Sequence, residues 1–180
     1  MRATLARLSS ITVAALGVFG CASIGGVTPP KVPSNLQPPD NEDPFMEAQA
    51  TGVQIYECVP KAGQSGSYEW AFRAPEAALA DRTGRSLGKH YAGPTWEGTD
   101  GSRVLGEVKA RDPGPDASAI PWLLLGAKST FGNGVMTQTR SIQRVATHGG
   151  ITPTDACGAS NANQFARVPY TATYYFYRSR

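Results

Sequence analysis

Alternation of apolar and polar side chains is the feature that most restricts the fold of this chain. From about Ala48 onward the sequence has the period of two that is typical of half-buried strands. In "YEWAFR", for example, Tyr68, Trp70 and Phe72 share one face. The same period, or a continuous apolar run, occurs in "GVQIYEC", "RVLGEVKA", "IPWLLLGAK" and "GVMTQTRSIQRVAT".

The C-terminal segment "RVPYTATYYFYR" is the clearest example of this alternation. It places Tyr174 and Phe176 on one face and Tyr175 and Tyr177 on the other. We expect the first pair in the core and the second pair as an exposed aromatic stripe.

Turn signals separate these segments and indicate the class of fold. They are "DRTGR", "TDGS", "DPGPD", "FGNG" and "THGG". Short strands with turn residues between them are typical of sandwiches and barrels. Only "PEAALA", which starts at Pro75, favours a helical turn. The sequence therefore predicts one all-β domain over residues 48–180, an antiparallel β-sandwich or barrel with short helical turns at most.

The N-terminus has the pattern of a secretory signal. Arg2 and Arg7 precede an apolar run, which predicts a signal peptide over residues 1–20. The run "GVFGC" ends at Cys21 and resembles a lipobox, in which this cysteine is lipidated. Ordinary cleavage just beyond Cys21 is the alternative, and a retained membrane-spanning helix is the lesser one. Each type of cleavage predicts an exported protein, either lipid-anchored at the cell envelope or secreted.

Residues 21–47 are predicted to be a Pro-rich linker or arm. The stretch "VTPPKVPSNLQPPDNEDP" contains six prolines and few aliphatic side chains. Such a segment is extended and semi-rigid. It would serve either as a spacer behind an acylated cysteine or as an ordered arm that wraps the domain.

Export allows a prediction for the two cysteines that remain besides Cys21. In an oxidising compartment, Cys58 and Cys157 are expected to form a disulfide. The alternative is a catalytic thiol paired with His90 or His148.

The charge of the chain argues against a nucleic-acid partner. Removal of Arg2 and Arg7 from the 17 basic residues leaves 15, against 14 acidic ones. No run of Lys and Arg exceeds two residues, so the sequence contains no basic segment of the kind that binds a phosphate backbone.

The stretch "LGKHYAGPTWEGTDGS" is the candidate ligand site. Aromatic rings with polar tips beside a histidine and carboxylates are typical of small-ligand clefts. A fold-defining corner between strands would use the same residues, and Asp100 with Gly101 would then form a turn. The candidate site residues are His90, Tyr91, Trp96, Glu97 and Asp100.

Two enzymatic alternatives use the same stretch. His90 and His148 with Glu97 or Asp100 would supply two histidines and one carboxylate for a metal. Glu97 and Asp100 could act as an acid and a base on a sugar that stacks on an aromatic ring. Neither has a spacing motif to support it, so the sequence predicts no metal and no cofactor and identifies no catalytic residue.

Several motifs together resemble one known family. They are "GVQIYEC", "W-A-F-x-A-P-E-A-x-L", "G-x-H-Y-A-G-P-T-W-E-x-x-D-G-S", "A-I-P-W-L-L-L", "IQRV-x-T-x-G-G" and "VPY-x-A-x-YYFYR". Between Val32 and Arg178 the chain is similar to the exported family called domain of unknown function 3455 (DUF3455). The resemblance implies a single exported domain, and it implies no activity because none is established for the family. A dinucleotide fold is not predicted, because "FGNGVMT" is followed by strand-patterned residues rather than a helix.

The sequence thus predicts an exported, lipid-anchored β domain that binds a small molecule or an envelope component and meets the membrane through its lipidated N-terminus. The alternative is a hydrolase or metal-dependent enzyme centred on His90 and Glu97.

Overall fold

The computed structural model describes residues 26–180. The predicted signal peptide over residues 1–20 and the predicted lipidation at Cys21 lie outside the described residues. Within residues 26–180 no helix is long and apolar enough to cross a membrane.

Eight antiparallel strands close into a barrel. Each strand pairs with the next one along the chain, and the last pairs with the first. The predicted all-β, antiparallel fold is confirmed, and of the two predicted architectures the barrel is the one formed. Three short 3₁₀ turns, at Ser34–Leu36, Val135–Gln138 and Ala159–Asn161, complete the secondary structure of residues 26–180. The strands are β1 (Glu42–Pro60), β2 (Tyr68–Ala80), β3 (Ser86–Tyr91), β4 (Thr95–Gly98), β5 (Arg103–Asp112), β6 (Trp122–Phe131), β7 (Ser141–Gly149) and β8 (Phe165–Ser179).

The first strand begins at Glu42, earlier than the boundary near Ala48 that alternation indicates. Its start pairs with the end of β8, with Glu42 opposite Ser179 and Met46 opposite Phe176. The ladder shifts register between Pro44 and Met46. This irregularity interrupts the alternation, which is why the start of the strand is hidden in the sequence.

The segment "PEAALA" is part of β2 and is not a helical turn. Pro75, Ala77 and Leu79 are buried, whereas Glu76 and Ala78, which alternate with them, are exposed. The expectation of a turn was wrong because alternate burial outweighed the helix propensity of alanine.

The barrel interior is filled by large side chains at one end. Trp96, Tyr174 and Phe176 are buried there. The predicted core positions of Tyr174 and Phe176 are thus confirmed. Gly106 makes room for the indole, since a Cβ at this position would lie 2.8 Å from Cζ3 of Trp96.

Residues 26–41, which precede β1, form an ordered arm on the outside of the barrel. Leu36 is completely buried. Its carbonyl accepts a hydrogen bond of 2.7 Å from Nε2 of the buried Gln143. The side chain of Asn35 donates to the carbonyl of Arg111 at 3.0 Å. The arm is thus attached to β5 and β7.

The arm also explains why the predicted exposed stripe is wrong. Tyr175 and Tyr177 point out of the barrel, as alternation predicts, but are only 6% and 5% exposed. Val27 and Val32 pack against this outer cluster. Alternation identifies the face of a strand, and it gives no information about a segment that covers this face from outside.

Cys58 and Cys157 lie at disulfide-bonding distance, which fits the expected pair. The two sulfur atoms are 2.04 Å apart and the Cα atoms 5.6 Å apart. Backbone hydrogen bonds from Cys58 to Gln164 and from Asn163 to Cys58 lie beside them. The long segment between β7 and β8 is thereby joined to the end of β1.

Candidate functional site

The hairpin of β3 and β4 separates the predicted site residues into two faces. His90 and Trp96 are opposite each other across the hairpin and point into the barrel. They are 3% and 1% exposed. Tyr91 and Glu97 are the next residue in each strand and therefore point outward.

His90 is enclosed by aromatic rings. Its ring stacks on Trp96 with centroids 4.3 Å apart and planes inclined by 14°. The edge contact with Tyr174 has a centroid distance of 5.2 Å. Nδ1 lies 2.9 Å from the carbonyl oxygen of Thr95. Because a carbonyl can only accept, Nδ1 carries the proton and Nε2 is the acceptor.

Burial lowers the pKa of His90 to about 3. The hydrogen bond to Thr95 opposes this shift, and the positive charge of Arg144 adds to it. His90 is therefore a neutral hydrogen-bonding group at physiological pH.

Tyr91 and Glu97 form a small cluster on the outer surface. The Tyr91 hydroxyl donates to Oε2 of Glu97 at 2.7 Å. Nζ of Lys89 lies 3.3 Å from Oε1. The Tyr91 hydrogen bond is the largest cause of the lowered pKa of Glu97; burial opposes it, and the Lys89 ammonium adds to it. Such exposed pairs contribute little to stability.

Asp100 is a turn residue. Its Oδ1 accepts from the backbone NH and the hydroxyl of Ser102, at 2.9 and 2.6 Å. Its Oδ2 accepts from the backbone NH of Val135 at 2.8 Å. The Ser102 hydroxyl is the largest cause of the lowered pKa of Asp100, followed by the Val135 NH. Asp100 thus joins the β4–β5 turn to the 3₁₀ turn before β7.

The structure does not bring His90 and the second histidine together. His148 is exposed, and its Nδ1 lies 3.5 Å from Oδ2 of Asp116. Across residues 26–180 there is no group of three or more His, Cys, Asp or Glu side chains that could hold a metal ion. His90 and Glu97 also lie on opposite faces of their hairpin, so the enzymatic alternative gains no support from their placement.

A cavity of about 530 Å³ extends from the His90–Trp96 pair to the rim of the barrel. Small-molecule sites in proteins usually occupy about 300–1,000 Å³. A barrel of eight strands is just wide enough to hold one small ligand. The rim includes the β3–β4 turn at Gly93 and Pro94, Pro121 before β6 and Thr152 after β7. A groove of about 540 Å³ under the arm is more open to solvent and more polar.

Several polar atoms beside the cavity have no hydrogen-bond partner in the described chain. They include Nε2 of Gln54, Nε1 of Trp96 and the hydroxyl of Tyr174. A buried polar group without a partner costs about 1–3 kcal/mol. Such groups usually find a partner in a bound molecule or in water.

One family model matches this chain over residues 38–178, and it is described as a protein of unknown function (DUF3455). The chain belongs to the DUF3455 family. The predicted resemblance is confirmed, and the match runs from the end of the arm to Arg178 in β8. No curated protein and no solved structure matches the chain.

Three cavity residues of this DUF3455 chain were not singled out as a site from the sequence. Gln54, Arg144 and Tyr174 come from β1, β7 and β8, which meet only when the barrel closes. One feature of the sequence could have identified Arg144. In "SIQRVAT" it lies two residues after Ile142, which is buried, so the two side chains share one face of the strand. A charged residue at an inward position is unusual and often functional.

Proposed function

We propose that this DUF3455 protein is an exported, lipid-anchored barrel that binds a small apolar molecule in its interior. The cavity beside His90 and Trp96 is the observation that carries the proposal. A ligand there would be held by the barrel walls and would need no rearrangement of the strands.

The lining of the cavity supports binding of an apolar body. Leu123, Leu125 and Ile120 contribute aliphatic walls, and Trp96 contributes an aromatic surface. Displacement of water from such surfaces contributes about 25 cal/mol for each Å² buried. The unpartnered atoms of Gln54 and Tyr174 would fix the orientation of a ligand through hydrogen bonds.

Export and anchoring are supported by the N-terminal sequence. The signal-like segment over residues 1–20 ends immediately before Cys21, and a Pro-rich stretch follows. The bonding distance between Cys58 and Cys157 is compatible with an oxidising compartment. Lipidation of Cys21 would then hold the ligand-binding domain at a membrane.

Binding is tested with the neutral fluorescent probe N-phenylnaphthylamine. We expect one probe per chain, with a rise in probe fluorescence and quenching of the emission of Trp96, which lines the cavity. Val108 also lines the cavity, so Val108→Trp should fill part of it and weaken binding by about tenfold or more.

The matched control is Glu107→Trp, which adds an indole at the exposed neighbouring position of β5. It should leave probe affinity unchanged. Far-UV circular dichroism of both variants checks that the barrel is folded. A folded Val108→Trp protein that binds the probe as tightly as the unchanged protein would contradict an interior site, as would a wild-type protein that binds no probe.

Anchoring is tested by mass spectrometry of the native protein from membranes. We expect the mature chain to begin at Cys21 and to carry acyl chains. Cys21→Ala should move the protein from the membrane fraction to the soluble fraction, since acyl chains contribute about 0.8 kcal/mol per buried CH₂ group. An unmodified N-terminus in the unchanged protein would show that the anchor is wrong while leaving ligand binding intact.

A further inference from the structure

We infer that the ligand of the barrel cavity is an apolar acid whose anionic group is bound by the guanidinium of Arg144. This inference rests on the proposed binding function and adds the chemical class of the ligand. It follows from the position, the hydrogen bonds and the charge of Arg144.

Arg144 occupies an inward position in the wall of the barrel. In the ladders of β7 it is opposite Leu123 on one side and Tyr174 on the other. Both of these neighbours point into the barrel, and all three residues line the cavity. The aliphatic part of Arg144 therefore lies in the wall, with its charged end in the cavity.

The hydrogen bonds of Arg144 to backbone use one edge of its guanidinium, and the group also lies near the hydroxyl of Tyr174, where it opposes the effect of burial that raises the pKa of Tyr174. Nε and Nη2 donate to the same carbonyl oxygen, that of Pro121, at 3.1 and 2.8 Å. These two bonds use the edge formed by Nε and Nη2 and hold the group in a fixed orientation. The other edge, formed by Nη1 and Nη2, has the geometry that binds a carboxylate through two parallel hydrogen bonds.

The charge of Arg144 is not balanced within the described chain. Arg144 forms no ion pair there. None of the described cavity-lining residues is an Asp or a Glu, while Arg73 and Arg111 line the same cavity. Arg73 is paired with Glu57 at 2.6 Å, but Arg111 has no such pair in this part of the chain. A cation that is partly removed from water is stabilised by a bound anion.

The neighbouring groups cannot supply this anion. Burial raises the pKa of Tyr174 and that of Tyr56, and it lowers the pKa of His90 to about 3. All three side chains are therefore neutral at physiological pH. A counter-ion for Arg144 would therefore come from outside the lining, and the aliphatic and aromatic walls favour an anion carried on a largely apolar molecule.

The test compares two probes with a common skeleton, anilinonaphthalene sulfonate, which is an anion, and N-phenylnaphthylamine, which is neutral. The unchanged protein should bind the anion about tenfold more tightly or better. Arg144→Met, which removes the charge and keeps much of the aliphatic length, should remove this preference, measured as the ratio of the two probe affinities within the same variant. Arg144→Lys should restore part of the preference as a point charge without the second hydrogen bond.

The control variant is Arg167→Met, which removes a positive charge at the exposed surface, where Arg167 pairs with Glu76 at 2.8 Å. Both affinities should be unchanged in it. Equal affinities in the unchanged protein, or an anion preference that persists in Arg144→Met, would overturn the inference while leaving interior binding intact. Failure to bind either probe would instead contradict the proposed function.

A second measurement uses only the unchanged protein, in case Arg144→Met does not fold. Naphthoic acid and naphthalenemethanol differ in one group, a carboxylate against a neutral alcohol. The acid should displace N-phenylnaphthylamine at a concentration about tenfold lower than the alcohol. Displacement by both at equal concentration would contradict recognition of the anionic group.

Discussion

Replacing both Cys58 and Cys157 by alanine should lower the free energy of unfolding by about 2–5 kcal/mol. The two cysteines are 99 residues apart in the sequence. A disulfide that closes a loop of this length restricts the unfolded chain strongly, and the chain-entropy estimate is about 4.7 kcal/mol for a loop of about 100 residues. The measurement is urea denaturation of the purified barrel, followed by tryptophan fluorescence.

Loss of the disulfide should also affect the rim of the cavity, because the bond holds the segment between β7 and β8. The segment between β7 and β8 carries Thr152 on the rim of the cavity. It is further attached through the indole NH of Trp70, which donates to the carbonyl of Asp155 at 2.9 Å. The double variant should therefore fold to the same barrel with a less ordered rim, and it should bind N-phenylnaphthylamine more weakly than the oxidised protein.

Reduction provides the matched control. The unchanged protein treated with a thiol reductant should lose the same free energy as the double variant, and the reductant should have no effect on the variant. Two free thiols in protein purified without reductant, or a difference in unfolding free energy below about 1 kcal/mol, would contradict a stabilising disulfide.

The fold class could be predicted because its cause is local. Tyr174 and Phe176 alternate with Tyr175 and Tyr177, and this pattern fits a strand regardless of what surrounds it. Closure of the barrel could not be predicted, because it depends on pairing between β1 and β8. Ala50 lies opposite Ala172 in this ladder, and no feature of either segment identifies the other as its partner.

The candidate site was predicted in part. The stretch from Leu87 to Ser102 contains four cavity residues, and two of these, His90 and Trp96, are among the candidate site residues; the other two are Gly93 and Pro94. The same period of two that predicted strands places Tyr91 and Glu97 on the opposite face of the hairpin. Applied to residues 87–102, this period separates the inward pair, His90 and Trp96, from the outward pair. Asp100 fits its predicted alternative as a turn residue, because its carboxylate is used by backbone NH groups and a serine hydroxyl.

The phase of Arg144 with Ile142 indicates an inward side chain, but the sequence does not show that this side chain borders the same cavity as His90. Arg144 is distant in sequence from His90. Its guanidinium is hydrogen-bonded to the carbonyl of Pro121 rather than paired with a carboxylate. An isolated arginine in a strand is usually exposed. Only the closed barrel shows that this one faces the cavity.

Acid should destabilise the barrel through His90 from about pH 6.5 downward, beginning above the range in which carboxylates titrate. The pKa of His90 is about 3 in the folded protein, against an ordinary value of 6.5. Between these two pH values the unfolded chain binds a proton that the folded barrel does not bind. Stability is therefore fully present above about pH 6.5 and is lost as the pH falls, with a slope of up to about 1.4 kcal/mol per pH unit. From pH 7.5 to pH 4.5 the expected loss is about 2–3 kcal/mol.

The variant His90→Asn isolates this effect. Asparagine does not titrate, and its amide NH₂ can still donate to the carbonyl of Thr95, which accepts from Nδ1 of His90. The variant should be less stable than the unchanged protein at neutral pH, because it loses the stacking on Trp96. Its free energy of unfolding should nevertheless change little between pH 7.5 and pH 4.5. His148→Asn removes the exposed histidine and should keep the steep dependence. Equal slopes for His90→Asn and the unchanged protein, measured by urea denaturation across this range, would show that burial does not hold the imidazole of His90 in its neutral form.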